Sequence, residues 1–156
     1  MSRAFVSEAA AEASAAILPE RPVGAAPNLV TPRGLEIIDA QVTRLQRLLD
    51  GSVPNDPQRA AAARDLRYWR SRRASAQVIA PASAEPTEVS FGTLVKIRRG
   101  GAVSSYRIVG EDEADPPKGL LSWTSPLARS LMGAQPGDVV DGGDRPPVTV
   151  ETVERG

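Results

Sequence analysis

The sequence predicts an α+β chain: an N-terminal antiparallel coiled-coil helical hairpin, then a small β-sheet domain with one short helix. Three observations carry this expectation. Leu35, Ile38, Val42, Leu45 and Leu49 recur at alternating spacings of three and four, which is a heptad seam. From Glu88 onward the apolar period shortens to two, the repeat of a half-buried strand. Between residues 104 and 131 a strand code, an acidic loop, a second strand and a capped helix start follow one another without interruption. The expected organisation is a flexible tail over residues 1–28, a hairpin over 29–79, a linker over 80–87 and a β domain over 88–156.

Residues 1–28 are rich in Ala, Pro and Ser and poor in large apolar groups. Ser7 can cap a short helix through Ala16, but that helix has little to bury. The run Leu18-Pro19-Glu20-Arg21-Pro22 must be extended, because each proline restricts its own φ and the residue before it. Thr31-Pro32 then opens the first long helix as cap and first helical position. Gly51, Pro54 and Pro57 end it and form the turn. The second helix is expected from Pro57 with Asp56 as its cap, carrying Ala62, Leu66, Trp69 and Ala76 on the seam and Arg73 at a fourth seam position. Two such helices joined by a short turn fold back on each other. At ~1.5 Å per residue they make a rod roughly 30 Å long.

The second helix is strongly basic: Arg59, Arg64, Arg67, Arg70, Arg72 and Arg73 stand against Asp65. Arg64, Arg67 and Arg70 mark a face suited to RNA, to phosphates or to an acidic protein surface. The plain alternative is a solvated face whose arginine stems cover apolar neighbours. Aromatic residues are not interleaved along it as stacking platforms, so independent single-strand binding is not expected.

Beyond the linker, Val89, Phe91, Leu94, Val95 and Ile97 read as a strand broken at Gly92. Arg98-Arg99-Gly100-Gly101 turns it into the strand 104–109. Residues 110–119 hold four acids, two prolines and two glycines, the composition of an exposed loop. Glu111, Asp112, Glu113 and Asp115 lack the distant Glu of a calcium loop, so they read as solvated acids and not as a metal site. Residues 120–123 are a short strand. Ser125 then caps a helix with Pro126 at its first position, Leu127, Leu131 and Met132 on one side, and Gly133 at its end. A turn at Gln135-Pro136-Gly137-Asp138, the strand Val139-Val140, a loop over 141–147 and a last strand lined by Val148, Val150 and Val153 complete the chain.

The totals exclude several chemistries. The chain has no cysteine and no histidine, so disulfides, thiol nucleophiles, imidazole catalysis and Cys/His zinc sites are ruled out. Its net charge is zero, but residues 1–84 carry 11 basic and 8 acidic side chains and residues 85–156 carry 8 and 11. Membrane association is not expected, since no apolar run nears the ~20 residues of a bilayer span. The N-terminus is a poor secretion signal, so a cytoplasmic location is the default.

The ordered string YRIVGEDEADP, SWTSPLARSLMG and PGD closely resembles the C-terminal domain of the GreA/GreB transcription elongation factors. Residues 29–35 and 74–79 look like the start and end of that family's hairpin. The resemblance implies an FKBP-like second domain that grips bacterial RNA polymerase at the mouth of its secondary channel. It places Asp112, Ser125, Pro126, Leu127 and Arg129 on the polymerase-facing surface, with an exposed Leu127 as anchor. It also implies a coiled coil reaching toward the catalytic magnesium, where acids at its tip help to hold a second metal ion. Carboxylates suit that task because Mg²⁺ takes hard oxygen ligands.

The tip departs from the family pattern. An acidic pair in a motif like Asp-x-x-Glu-Asn-Ala is replaced by Asp50-Gly51-Ser52-Val53-Pro54-Asn55-Asp56, and each arm is some ten residues shorter. That shortens the reach by roughly 15 Å. Asp50 and Asp56 are the only carboxylates near the tip, and Asp56 has a role as a helix cap. The expectation is a monomeric, non-enzymatic channel binder with weak or no transcript cleavage. Its contact with nascent RNA and DNA would be indirect, and its only cofactor would be the Mg²⁺ of the polymerase. The alternatives are an active cleavage factor, an Rnk-type nucleoside diphosphate kinase regulator, also short in the arm, and a plain nucleic-acid-binding hairpin. Peptidyl-prolyl isomerase activity is not expected, because residues 85–156 hold only Phe91, Tyr106 and Trp123 to line a pocket.

Overall fold

A computed structural model describes residues 18–156. The cap and helix expected at Ser7–Ala16 lie outside the described residues. The chain divides into two compact units, one taking residues up to Ala25 with Ile38–Ser75, the other Ala26–Ile37 with Ala76–Gly156.

The first unit is built on two helices, α1 (Pro32–Asp50), which enters it at Ile38, and α2 (Arg59–Ser75). Ile38 and Leu45 are buried along the α1 seam, with Val42 and Leu49 half-buried beside them. Leu45 meets Ala62 and Leu66 of α2 in one apolar cluster, flanked by Val42, Leu49 and Trp69. Polar contacts run in opposite order along the two helices, Leu49 with Arg59, Gln46 with Arg70 and Asp39 with Arg73, so the pair is antiparallel.

Two details of α2 differ from expectation. It begins at Arg59 and not near Pro57, because residues 56–58 form a separate turn. The Asp56 carboxylate accepts from Gln58 N at 2.9 Å, and Asp56 O accepts from Arg59 N at 3.0 Å. Second, Arg73 does not fill the seam. Its guanidinium reaches out to Asp39, and both side chains are half exposed. The deeply buried arginine is Arg72, at 2% exposure.

The second unit opens with β1 (Leu29–Val30), which pairs in parallel with β2 (Gln77–Val78). Its main sheet holds β3 (Thr93–Arg99), β4 (Ala102–Val109), β5 (Leu120–Ser122), β6 (Val139–Val140) and β7 (Val148–Arg155), in the spatial order β5-β4-β3-β7-β6. The β4–β5 pair is parallel and the others are antiparallel. Gly100 and Gly101, at φ 54° and 84°, make the two-residue turn between β3 and β4. Only residues that accept positive φ at both positions match the twist of the flanking strands in this way.

The stretch read as a strand broken at Gly92 is a strand only beyond the break, from Thr93. Gly92 has φ 86°, and Ser90 and Thr93 close a tight turn in front of β3. Val89 still enters the core, held outside the sheet by its backbone bonds to Gly133 and Ala134. Val95 and Ile97 face inward from β3. Opposite them, Lys96 pairs with Thr152 while Ile97 pairs with Val150, which leaves Glu151 as an extra residue. That bulge explains why Val150 and Val153, three apart, both reach the core. The short helix α3 (Pro126–Leu131) closes the core with Ala128 and Leu131, both fully buried. Among the described residues, no helix is long and apolar enough to cross a membrane.

Candidate functional site

The loop that follows β4 and the start of α3 carry the residues expected to dock. Expected as wholly solvated, the acidic loop instead turns one carboxylate inward. Glu113 is 7% exposed, and its Oε2 accepts from the Thr31 hydroxyl at 2.5 Å. The same Thr31 Oγ1 accepts from Gly34 N at 2.9 Å, so one hydroxyl caps α1 and holds the acidic loop. Close approach is enforced by glycine. A Cβ on Gly110 would stand 2.4 Å from Leu29 O, and one on Gly34 would stand 3.1 Å from Glu113 Oε2. Local composition does not carry this contact, because its partners lie 82 residues apart.

The remaining acids behave differently from one another. Asp115 forms an exposed ion pair with Lys118 at 3.4 Å and a backbone bridge with Leu120. Asp112 and Glu111 are half-buried. Glu111 Oε1 and Trp123 Nε1 are buried without a hydrogen-bond partner among the described residues; Glu111 stands two residues past the end of β4 and Trp123 directly follows β5. Among the described residues no group of three or more carboxylates is placed to hold a metal ion.

Ser125 caps α3 as its sequence predicts. Its backbone is extended at φ −66°, ψ 152°, and its Oγ accepts from Ala128 N at 3.3 Å. The face that points inward is not the expected one. Ala128 and Leu131 are buried, Leu127 is half-buried against the core, and Met132 is more than one-third exposed. Leu127 is therefore not an exposed anchor. Over six residues a helix turns less than twice, so the apolar side cannot be assigned from so few positions. Pro126 and Arg129 are the residues of the expected docking set that this helix exposes.

At the hairpin turn, both candidate carboxylates serve local structure. Asp50 Oδ1 accepts from Gln46 Nε2 at 2.8 Å, and Asp56 Oδ1 holds the turn ahead of α2. The turn itself is tied by Arg59, whose Nη1 donates to Leu49 O at 2.9 Å and Ser52 Oγ at 2.6 Å. That guanidinium satisfies one of the carbonyls left open at the end of α1.

The basic face of α2 is less bare than its composition implies. Arg64 bonds Asp65 at 3.0 Å, Arg70 bonds Gln46, and Arg67 grips Glu20 with two nitrogens. The Arg67 guanidinium holds the Glu20 carboxyl below the usual carboxylate range, and Glu20 in turn raises Arg67. A stacking surface is also present: the Arg21 guanidinium lies 3.9 Å from the centroid of the Tyr68 ring. Arg21 and Tyr68 lie 47 residues apart, so no local pattern in the sequence signals this contact.

A groove of about 490 Å³ in the second unit was likewise not anticipated. Thr31, Ile79, Pro81, Phe91 and Arg107 line it, drawn from four distant stretches.

Residues 84–145 match the family described as transcription elongation factor GreA/GreB, C-terminal. The transcription elongation factor GreA of Helicobacter pylori strain 26695 is 48% identical over 69 residues, which is 43% of this chain and 42% of that protein. GreA of Helicobacter hepaticus shows the same identity over the same length. The chain thus spans well under half the length of the curated relatives it matches. Among solved structures, the GreA factor homolog 1 (Gfh1) protein of Thermus thermophilus is 17% identical, with 83% of this chain and 99% of that chain covered at a TM-score of 0.39. The GreA/GreB factor of Nitrosomonas europaea is 20% identical, with 81% and 98% covered at 0.40. Residues 84–145 of this chain are therefore similar in sequence to the C-terminal domain of the GreA/GreB transcription elongation factors.

Proposed function

We propose that this chain is a transcription elongation regulator that docks on bacterial RNA polymerase at the secondary channel and inserts its short hairpin there. The GreA/GreB C-terminal domain at residues 84–145 is the observation that carries this reading. Asp112, Ser125, Pro126, Leu127 and Arg129 form the docking region. Within it, Pro126 and Arg129 make direct contact, Ser125 sets the helix start and Leu127 supports it from beneath. The rigidity of α3 favours this assignment, because Ala128 and Leu131 anchor it and docking then costs little ordering entropy.

The hairpin occupies the channel without stimulating strong RNA cleavage. Asp50 is bonded to Gln46 within α1 and Asp56 holds the turn ahead of α2, which supports a structural role for each. The basic face at Arg64, Arg67 and Arg70 meets nascent RNA inside the channel directly, where the sequence alone led to the expectation of an indirect contact. In this reading the chain is a cytoplasmic monomer with no enzymatic activity of its own, and Mg²⁺ enters only as the ion of the polymerase.

The test is to mix the chain with a backtracked polymerase elongation complex and measure binding and nascent-RNA cleavage together. Binding with little cleavage is the expected result. Cleavage abolished by Asp50→Ala or Asp56→Ala would make the tip active, and absence of binding would sink the reading.

A further inference from the structure

Two consecutive side chains ahead of the hairpin, Glu20 and Arg21, contact α2. Arg67 Nε donates to both oxygens of Glu20 at 3.1 Å, and Arg67 Nη2 donates to Oε1 at 2.6 Å. Arg21 sits over the Tyr68 ring at 3.9 Å, lies 5.6 Å from the Trp69 ring, and comes within 3.7 Å of Asp65. Tyr68 and Trp69 meet edge to face at 5.1 Å, which steadies the ring that Arg21 covers. Pro19 and Pro22 flank the pair and restrict its backbone, so both side chains are presented at small entropic cost.

The chemistry of this contact is general. A guanidinium fork that takes a carboxylate takes a phosphate with the same geometry. An aromatic face that accepts a flat guanidinium also accepts a nucleobase. Glu20 and Arg21 therefore offer α2 an anion followed by a planar group, which is the order of features along a nucleotide.

We infer that Arg67 and Tyr68 form a site for one nucleotide of single-stranded RNA, with phosphate on Arg67 and base on Tyr68, and that Glu20 and Arg21 occupy this site in cis. The inference rests on the reading above, in which α2 meets RNA. Arg64, one turn earlier, adds to the attraction felt by the Glu20 carboxylate and serves an incoming phosphate equally. The side chains of Arg67 and Glu20 are 56% and 61% exposed, so their pairing is screened and reversible. A segment held that weakly masks the site without closing it, and lowers the apparent affinity by the fraction of time the site is open.

The test titrates the full chain with a fluorescein-labelled oligouridylate of about ten nucleotides at low salt, alongside a separate polymerase-binding assay. Arg21→Ala is the decisive variant. It removes a positive charge, so bulk electrostatics alone weakens its RNA binding. Uncovering Tyr68 is instead expected to tighten binding roughly threefold or more. Glu20→Gln should act in the same direction, and Arg67→Ala added to Arg21→Ala should abolish the gain. Unchanged or weaker binding by Arg21→Ala overturns the masking, and full RNA affinity in Arg67→Ala overturns the site. RNA binding that follows this pattern in a chain that does not bind polymerase would sink the functional reading and leave the site standing. Polymerase binding without the RNA pattern does the reverse.

Discussion

The Thr31 hydroxyl donates to Glu113 Oε2 at 2.5 Å, joining the start of α1 to the acidic loop across 82 residues. Because the hydroxyl also accepts from Gly34 N, one oxygen satisfies both a helix terminus and a buried carboxylate. Thr31→Val keeps the shape and removes both bonds. It is expected to destabilise the second unit by about 2 kcal/mol, the cost of a lost cap and an unsatisfied acceptor. Urea denaturation followed by circular dichroism measures this, and Thr31→Ser should recover most of the loss.

Gly110 is fixed by sterics and not by turn geometry. A methyl group there would stand 2.4 Å from the carbonyl oxygen of Leu29, closer than any real contact. Backbone must therefore move, and Gly110→Ala is expected to cost roughly 1–3 kcal/mol. Gly133→Ala has open space but positive φ, and is expected to cost only about 1 kcal/mol. Equal losses in the two variants would contradict the assignment.

The burial of Leu127 separates docking from stability. Leu127→Asp places a carboxylate against the core and is expected to destabilise the domain by about 2 kcal/mol or more. Arg129→Glu is exposed and should leave stability within about 0.5 kcal/mol while weakening polymerase binding. Denaturation midpoints and a polymerase pull-down on the same two variants distinguish the effects. Arg129→Glu binding as tightly as the parent would remove α3 from the docking surface.

Glu20 carries a pH dependence whose sign is determined by its lowered value. A carboxyl depressed on folding adds stability to its contact above the ordinary Glu range, and that stability is lost as pH falls through the depressed value. The Glu20–Arg67 contact is therefore expected to persist through neutral pH and open only in acid. Carbon-detected titration of the Glu20 carboxyl should give a midpoint below that of free glutamate. A midpoint at or above the ordinary value would mean that Arg67 does not hold it.

Local codes were legible because their physics is local. The α1 seam, the Gly100–Gly101 turn, the Ser125 cap with Pro126 after it, and the turn before β6 each depend on residues within about one helical turn of one another. Such signals are written wherever backbone conformation and neighbouring side chains alone decide the energy. The α+β class followed from them.

What the tertiary structure decided are the partners that meet across the chain. Only the fold buries Glu113 on Thr31, sets the bulge that turns Val150 and Val153 to one side, and chooses Ala128 over Leu127 for the core. Only the fold lays Glu20 and Arg21 on Arg67 and Tyr68. The free energy of each contact depends on desolvation and on a partner brought in by distant segments. No window of neighbouring residues contains those terms, so composition read an acidic loop as solvated and gave no sign of the partners of the arginine face beyond Asp65.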